Sequence, residues 1–151
     1  MRLIGEWGRG ERSGVRGQES GVRSMAARSA KDLTVYQKAY VLAMKIYEAS
    51  KRFPAEEKYA LTSQIRRSSR SVCLNLREAW AKRRYEAHFL SKLSDCDGEN
   101  SETDSSLDFA RDCGFISTEM HREFAALNAE VGRMLGAMLN NPAPFFLTPD
   151  P

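Results

Sequence analysis

The stretch SQIRRSSRSVCLNLREAWAKRR, residues 63–84, carries two patterns at helical spacing. The first is a stripe of apolar and small residues that recurs every three or four positions: Ile65, Ser68, Val72, Leu76 and Ala79. The second, which we call the arginine row, consists of Arg66, Arg70, Arg77 and Arg84. With about 3.6 residues per turn, the row spans roughly 40° of helix surface. The stretch therefore predicts an amphipathic helix, with a buried stripe and the row on roughly the opposite side.

Three other segments repeat apolar residues at the same spacing, so the chain predicts four helices. Their expected spans are about residues 33–52, 54–84, 85–113 and 118–140. Pro54 separates the first two, because the residue before a proline disfavours the α conformation and proline suits a first helical turn. Gly114 fits the end of the third helix, and Ser117 fits the N-cap of the fourth. Short connections predict an all-α, antiparallel, up-down-up-down four-helix bundle.

The chain of 151 residues divides by composition into one domain with two extensions. Residues 1–30 are rich in Gly, Arg, Ser and Glu, which predicts a disordered extension, and Met25 is a candidate for the true start. Residues 31–140 form the predicted bundle, and residues 141–151 form a proline-rich tail. The chain has no apolar signal-peptide region and no run of about 18 apolar residues. We therefore expect a cytoplasmic protein without a membrane partner.

Charge is unevenly distributed along the chain. Residues 54–84 contain eight basic and three acidic side chains, a net charge of +5. Residues 85–113 contain eight acidic and two basic side chains, a net charge of −6. A basic helix is thus followed directly by an acidic one, which indicates a polyanion-binding surface, charge pairing between the two helices, or a face that only meets water.

No pattern of residues indicates an enzyme, a cofactor or a metal site. The three cysteines, at positions 73, 96 and 113, form no CxxC pair and suggest reduced thiols. A di-iron bundle would need Glu-x-x-His on two helices, and neither His88 nor His121 has a glutamate three residues before it. We expect a protein that is not an enzyme and that holds no metal or cofactor.

Four segments carry a resemblance to a known family: DLTVYQKAY (32–40), FPAEEKYALTSQIRRSSRSV (53–72), NLREA (75–79) and EVGRML (130–135). They resemble the four-helix-bundle proteins encoded in 23S rRNA intervening sequences, relatives of the accessory variability determinant protein of diversity-generating retroelements. The resemblance implies a homopentamer with a basic nucleic-acid-binding surface and, in the retroelement members, a reverse transcriptase as partner. The family usually has NIAEG where this chain has NLREAW, so Arg77 and Trp80 are additions.

The first functional hypothesis is an accessory protein that binds structured RNA or an RNA–DNA duplex. A basic helical face gains affinity for phosphates by releasing counterions, and the arginine fork can bind a phosphate bidentately. The candidate contacts are Arg66, Arg67, Arg70, Arg77, Lys82, Arg83 and Arg84. Tyr59 and Trp80 flank the row and are candidates for base stacking.

The second hypothesis is a structural homo-oligomer without a nucleic-acid role. In this interpretation the arginine row pairs with acids of the third helix, within one chain or across an interface. Small residues on the fourth helix allow close helix packing within or between subunits, and the tail phenylalanines are candidates for docking on a neighbour. The interface candidates are Asp95, Glu99, Glu102, Gly132, Gly136, Phe145 and Phe146.

Overall fold

The computed structural model describes residues 27–147, and four helices account for most of them. The helices are α1 (Thr34–Ser50), α2 (Leu61–Ala81), α3 (Glu86–Asp112) and α4 (Thr118–Asn140). Each packs against the next along the chain, and α1 also packs against α4, which closes a square. The predicted all-α, up-down-up-down bundle is confirmed. Within the described range, no helix has the length and apolar character needed to span a membrane.

Two apolar clusters fill the interior of the bundle. One lies at the end where α1 begins, and its largest fully buried side chains are Leu76, Phe89, Leu93, Val131 and Leu135. The other lies at the end where α1 finishes, around Ile46, Ile65, Leu107 and Phe124. Burial of these side chains is the main favourable term for folding. Their separation into two clusters leaves a layer between them that polar residues occupy.

Hydrogen bonds between buried side chains and backbone groups hold this polar layer. Thr103 on α3 donates to the Ser68 hydroxyl on α2 over 2.9 Å. Asn100 and Asn128 each donate their side-chain amide to the other's backbone carbonyl, over 3.2 and 3.0 Å, which links α3 to α4. Buried polar groups need such partners, because an unpaired one loses its hydration without compensation. The layer therefore favours one alignment of α2, α3 and α4.

Gly132 on α4 provides the space that Asn100 needs. A Cβ atom built at Gly132 would lie 2.9 Å from the Asn100 side-chain nitrogen. A Cβ built at Gly136 would contact nothing within 4 Å. Gly132, a sequence-based candidate for an interface between subunits, thus serves close packing within one chain, whereas the position of Gly136 leaves it open to other contacts.

The second helix begins later than the sequence indicates. Pro54 is followed by a 3-10 turn, Ala55–Glu57, and α2 begins only at Leu61. Ala60 has a non-helical backbone, with φ −117° and ψ −111°, which prevents a continuous helix from Pro54. The Glu57 carboxylate accepts a hydrogen bond from the Leu61 amide over 3.0 Å. A glutamate outside the helix thus satisfies one of the amides left unpaired at its start.

The connection between α3 and α4 agrees with the sequence-based prediction. Gly114 has φ +76°, a conformation that suits glycine at a helix end. The Ser117 hydroxyl accepts a hydrogen bond from the Met120 amide over 3.0 Å, as expected for an N-cap.

Segments on both sides of the four helices pack against the bundle. Ser29 and Asp32 form a reciprocal capping box, and Ala30 is fully buried, so the folded unit begins before the predicted boundary at residue 31. The rest of the predicted extension, including Met25, lies outside the described residues. In the tail, the rings of Phe145 and Phe146 lie 6.2 and 5.6 Å from the Phe89 ring. The tail phenylalanines therefore contact the core of their own chain.

A pair of glycine substitutions tests the role of the polar layer. Replacing either glycine with alanine should gain about 0.5–1 kcal/mol of helix propensity. At Gly132 the new methyl group displaces the Asn100 amide, and loss of a buried hydrogen bond costs about 1–3 kcal/mol. In thermal or urea unfolding we expect Gly136→Ala to be more stable than the wild type and Gly132→Ala to be less stable. Equal stability of the two variants would contradict the proposed contact.

Candidate nucleic-acid interface

The arginine row lies on the edge of the bundle where α2 meets α1. Burial of the Ile65, Val72 and Leu76 side chains fixes the rotation of α2 about its axis. Arg66, which is half-buried, and the exposed Arg70 and Arg77 consequently lie beside α1. The sequence placed them on roughly the opposite side from the core. Because the buried surface of α2 includes Thr62, Ser69 and Cys73 as well as the apolar stripe, its centre shifts toward the row.

Three cations surround the ring of Tyr47 on α1. The guanidinium carbons of Arg66 and Arg70 lie 4.9 and 5.6 Å from the ring centre, and the Lys51 ammonium lies 4.8 Å from it. Arg66 is fixed further, because its Nε donates a 2.7 Å hydrogen bond to the Ser50 hydroxyl. Cations are attracted to the negative face of an aromatic ring. Tyr47 thus holds two arginines of the row close together and in defined positions.

Arg77 continues the row toward the start of α1. Its guanidinium donates to the Ser29 hydroxyl over 3.4 Å. Burial raises the pKa of the Tyr36 hydroxyl, and the nearby positive charge of Arg77 partly opposes this rise. The Tyr36 ring stacks on Tyr40, with 6.3 Å between ring centres. We define the α1/α2 seam as the residues Tyr36, Tyr40, Tyr47, Arg66, Arg70 and Arg77.

Ion pairs cross two of the other three edges of the square, and a hydrogen bond crosses the third. Across the α1/α4 edge Lys38 binds Glu130 over 2.9 Å, and Lys45 binds Glu123. Across the α2/α3 edge Lys92 binds Glu78 over 2.9 Å, and across the α3/α4 edge His121 Nε2 is hydrogen-bonded to the Asp108 carboxylate over 2.8 Å. Across the α1/α2 edge, residues 27–147 contain no such pair. There the arginines contact tyrosine and serine side chains, so their positive charge is not neutralised by a carboxylate of the described chain.

Arg67 is the basic residue of α2 that turns toward α3. It binds Glu102 over 3.3 Å and lies 3.8 Å from Glu99. Asp95, which together with Glu99 and Glu102 forms what we call the acidic ridge of α3, lies 3.6 Å from Lys92 of its own helix. Within the described chain, pairing with the acids of α3, one of the alternatives left open by the sequence, therefore occurs at Arg67 and not along the arginine row. Arg67 is correspondingly a weaker candidate for a phosphate contact.

The basic end of α2 differs from the sequence-based picture in one respect. The helix ends at Ala81, so Lys82, Arg83 and Arg84 lie in the turn that leads to α3, and Arg84 leaves the row. The guanidinium of Arg83 lies 4.1 Å from the centre of the Trp80 ring and donates to the Trp80 carbonyl over 2.9 Å. Burial also lowers the pKa of Arg83.

The two candidates for base stacking have opposite environments. Trp80 is only 8% exposed and belongs to the core, with Arg83 over its ring, so it is not available to a base in this structure. Tyr59 is 87% exposed beside Lys58 in the connection before α2. Tyr59 therefore keeps the accessibility that stacking requires, and Trp80 does not.

Cysteines offer no reactive site in the interior. Burial raises the pKa of the Cys73 thiol to about 12 and raises that of Cys96 as well, so both stay protonated at neutral pH. A thiol rather than a thiolate is a poor nucleophile and a poor metal ligand. In the described part of the chain, no group of three His, Cys, Asp or Glu side chains is arranged to hold a metal ion.

The tyrosines of the seam were overlooked as site residues, although the sequence contains a signal for them. Tyr36, Tyr40 and Tyr47 follow one another at intervals of four and seven residues. Arg66, Arg70 and Arg77 have the same two intervals. On helices that pack side by side, matching intervals allow two rows to face each other along one edge.

Comparison with known proteins agrees with this fold. A family model described as 23S rRNA-intervening sequence protein matches residues 31–137. The chain is also similar to a crystal structure from Bacteroides thetaiotaomicron, which is described as a protein of unknown function from the S23 ribosomal protein family. The two chains are 26% identical with a TM-score of 0.65, and the match covers 71% of this chain and 96% of that chain. No curated protein matches the chain.

The acidic ridge of α3 makes stability depend on pH through Glu99. Burial raises the pKa of this carboxyl, although Arg67 opposes the rise. A raised pKa in the folded state means that ionisation of Glu99 disfavours folding, so its contribution to stability is lost as pH rises through that pKa. Relative to the wild type, Glu99→Gln should therefore gain stability as pH rises through the pKa of Glu99, by less than about 1 kcal/mol.

Urea unfolding at a series of pH values measures this gain. Glu102→Gln is the matched control, because Glu102 binds both Arg67 and Gln64 over 3.3 Å and its loss should not stabilise the protein at pH 7. A Glu99→Gln variant that becomes less stable than the wild type as pH rises would contradict the expectation.

Proposed function

The chain belongs to the 23S rRNA-intervening sequence protein family, and from this premise we propose that it is a non-enzymatic accessory protein that binds nucleic acid through the α1/α2 seam. The ligand is structured RNA or a nucleic-acid duplex, contacted first at its phosphates. One observation supports this most strongly. Arg66, Arg70 and Arg77 are held in position by aromatic and hydroxyl groups, and no carboxylate of the described residues neutralises them.

The physical case for a polyanion rests on the arrangement of charge along α2. Like charges placed along one edge repel one another, and this repulsion destabilises the isolated chain. A phosphate backbone relieves that repulsion and releases its condensed counterions when the arginines bind. From Arg66 to Arg77 the row extends about 16 Å, at about 1.5 Å of rise per residue. This length is enough to contact several phosphates of one strand.

The basic turn after α2 extends the same surface. Lys82 and Arg84 are exposed there. They would add to the electrostatic field without a fixed geometry, since neither lies on the helix. Tyr59, exposed near the opposite end of α2, is available for stacking at the other limit of the surface.

A reverse transcriptase is the protein partner that the resemblance to retroelement accessory proteins adds to the proposal. The neighbouring genes test this part separately. A reverse transcriptase gene together with a repeated template region beside this gene would support it. A genomic neighbourhood without either would remove the reverse transcriptase from the proposal and leave nucleic-acid binding unaffected.

Replacing two exposed arginines of the seam tests the binding surface. In Arg70→Ala/Arg77→Ala we expect the affinity for a fluorescent structured RNA to fall about tenfold or more near physiological salt, because two phosphate contacts are lost. The slope of log affinity against log salt should decrease in magnitude by roughly one to two. Fluorescence anisotropy from low to physiological salt measures both quantities.

The matched control removes the same charge from another face. Arg122 and Arg133 are exposed on α4, away from the seam. Arg122→Ala/Arg133→Ala should change affinity and salt slope far less than the seam variant. Equal effects of the two double variants would mean that binding follows net charge only, and the assignment of the seam would be wrong.

A second candidate function, a structural homo-oligomer, is favoured by apolar side chains on the outer face of α2 and α3. Leu74 is 62% exposed and Phe109 is 65% exposed, on the side of the bundle that carries Arg67 and the acidic ridge. Burial of these side chains between two copies of the chain would stabilise the contact. A pentamer, as the resemblance implies, would cover them while leaving the α1/α2 seam open. Assembly and nucleic-acid binding are compatible in this arrangement.

Polar substitutions on this outer face test the assembly. We expect Leu74→Gln/Phe109→Gln to reduce the molecular mass of the homo-oligomer, because two apolar side chains are no longer buried between subunits. Light scattering after size-exclusion chromatography measures this mass. Tyr85→Gln is the control, since Tyr85 is also 61% exposed but lies in the turn before α3. An unchanged mass for the double variant would argue against an interface on this face.

A further inference from the structure

The α1/α2 seam contains three tyrosines, and phosphate binding alone does not require aromatic rings. Tyr36, Tyr40 and Tyr47 are each half-buried, so the bundle covers none of them completely, although Tyr36 and Tyr40 also pack against the first apolar cluster. Arginines held by serine and threonine would suffice to bind a phosphate backbone. Three aromatic rings in line with three arginines suggest a ligand that offers flat, apolar surfaces as well as negative charge.

The Tyr47 end of the seam has the chemistry of a phosphate site. The three cations around the ring are Lys51, Arg66 and Arg70, and the acid that contacts this group is Glu48, 3.2 Å from Lys51. Arg66 uses its Nε for the bond to Ser50. Its two terminal nitrogens make no hydrogen bond to any residue in the described range, and a planar guanidinium can present such a pair to one phosphate.

The Tyr36 and Tyr40 pair has the chemistry of a base-stacking site. Tyr40 lies two helical turns before Tyr47, about 10 Å along α1. Its ring stacks on Tyr36 with an interplanar angle of 22°, which gives an extended aromatic surface. Burial raises the pKa of the Tyr36 hydroxyl, so the phenol is neutral at physiological pH and does not repel a nearby phosphate. Arg77 supplies positive charge beside this surface.

From this alternation of cations and rings we infer that the α1/α2 seam binds an unpaired RNA strand. Its phosphates lie at the three cations around Tyr47, and its bases lie against Tyr36 and Tyr40. The inference rests on the proposed function and narrows its ligand to single-stranded segments of a structured RNA. Sites for single strands combine a positive groove with aromatic side chains on which bases stack. A duplex keeps its bases stacked inside and presents mainly its backbone, so it would leave the tyrosines without a contact.

The competing explanation is that the tyrosines only fill the space between α1 and α2. Half-buried tyrosines often pack at helix edges, and Tyr47 also positions two arginines. In that case the ligand would be bound by charge alone, and paired or unpaired strands would bind according to their charge density. The two explanations predict different changes in RNA affinity when a tyrosine ring is removed and the charge of the chain stays the same.

The test compares two RNAs on the full chain, a 12-nucleotide single strand and a 12-base-pair duplex, each with a fluorescent label. We expect the single strand to bind at least about tenfold more tightly at the same salt concentration. Tyr40→Leu should weaken single-strand binding by roughly fivefold or more, the lower limit of one lost base stack, with an unchanged salt slope. Tyr40→Phe should retain the affinity, because a phenyl ring also stacks.

Phe109→Leu is the matched control for loss of an exposed aromatic ring outside the seam, since Phe109 is 65% exposed on α3, and it should leave both affinities unchanged. Photocrosslinking of a bromouridine strand to the wild-type chain gives a second measurement in case Tyr40→Leu does not fold. Crosslinked peptides that contain residues 36–40 support the inference. Crosslinks confined to other parts of the chain overturn it.

The outcomes separate this inference from the proposed function. Equal or tighter binding of the duplex overturns the single-strand inference and leaves nucleic-acid binding in place. An unchanged single-strand affinity of the Tyr40→Leu variant has the same two consequences. Failure of the wild-type chain to bind either RNA, even at low salt, overturns the proposed function itself.

Discussion

Burial of one stripe of α2 is the constraint on which the rest of the structure depends. Ile65, Val72 and Leu76 are each at most 3% exposed, and α2 packs against both α1 and α3. Rotation of the helix about its axis would bring these side chains into water, at roughly 1.5–3 kcal/mol each. The positions of the polar residues follow from that fixed rotation. Arg66 is thereby directed toward α1, and its neighbour in sequence, Arg67, toward α3.

This division gives the two edges of α2 different chemistry. On the α3 edge Arg67 forms ion pairs with the carboxylates of Glu99 and Glu102. Ion pairs of this kind at a protein surface stabilise the fold only modestly. On the α1 edge the arginines find the ring of Tyr47, which attracts a cation without cancelling its charge. The result is a bundle with one edge that stays electropositive, although the chain as a whole carries a formal charge of only +3.

Much of the fold could be predicted from the sequence, because helix periodicity and helix-end signals are local. The spans of α3 and α4, the glycine at position 114 and the cap at Ser117 agree with the structure to within a residue. The predicted start of α2 does not agree with the structure, because Ala60 leaves the helical conformation and Glu57 caps the helix from outside it. The burial of Trp80 was also missed, since it lies near the margin of the stripe and depends on how neighbouring helices cover it.

The sequence by itself determined that this chain forms four amphipathic helices, that one is basic and the next acidic, and that six residues repeat the intervals of four and seven. These properties depend on spacing along the chain, which a helix converts directly into angle. Only the tertiary structure decided which helix lies beside each flank of α2, and therefore that the arginines meet tyrosines rather than acids. Spacing fixes the angle of a side chain about its own helix, whereas its neighbours depend on how all four helices bury their stripes together.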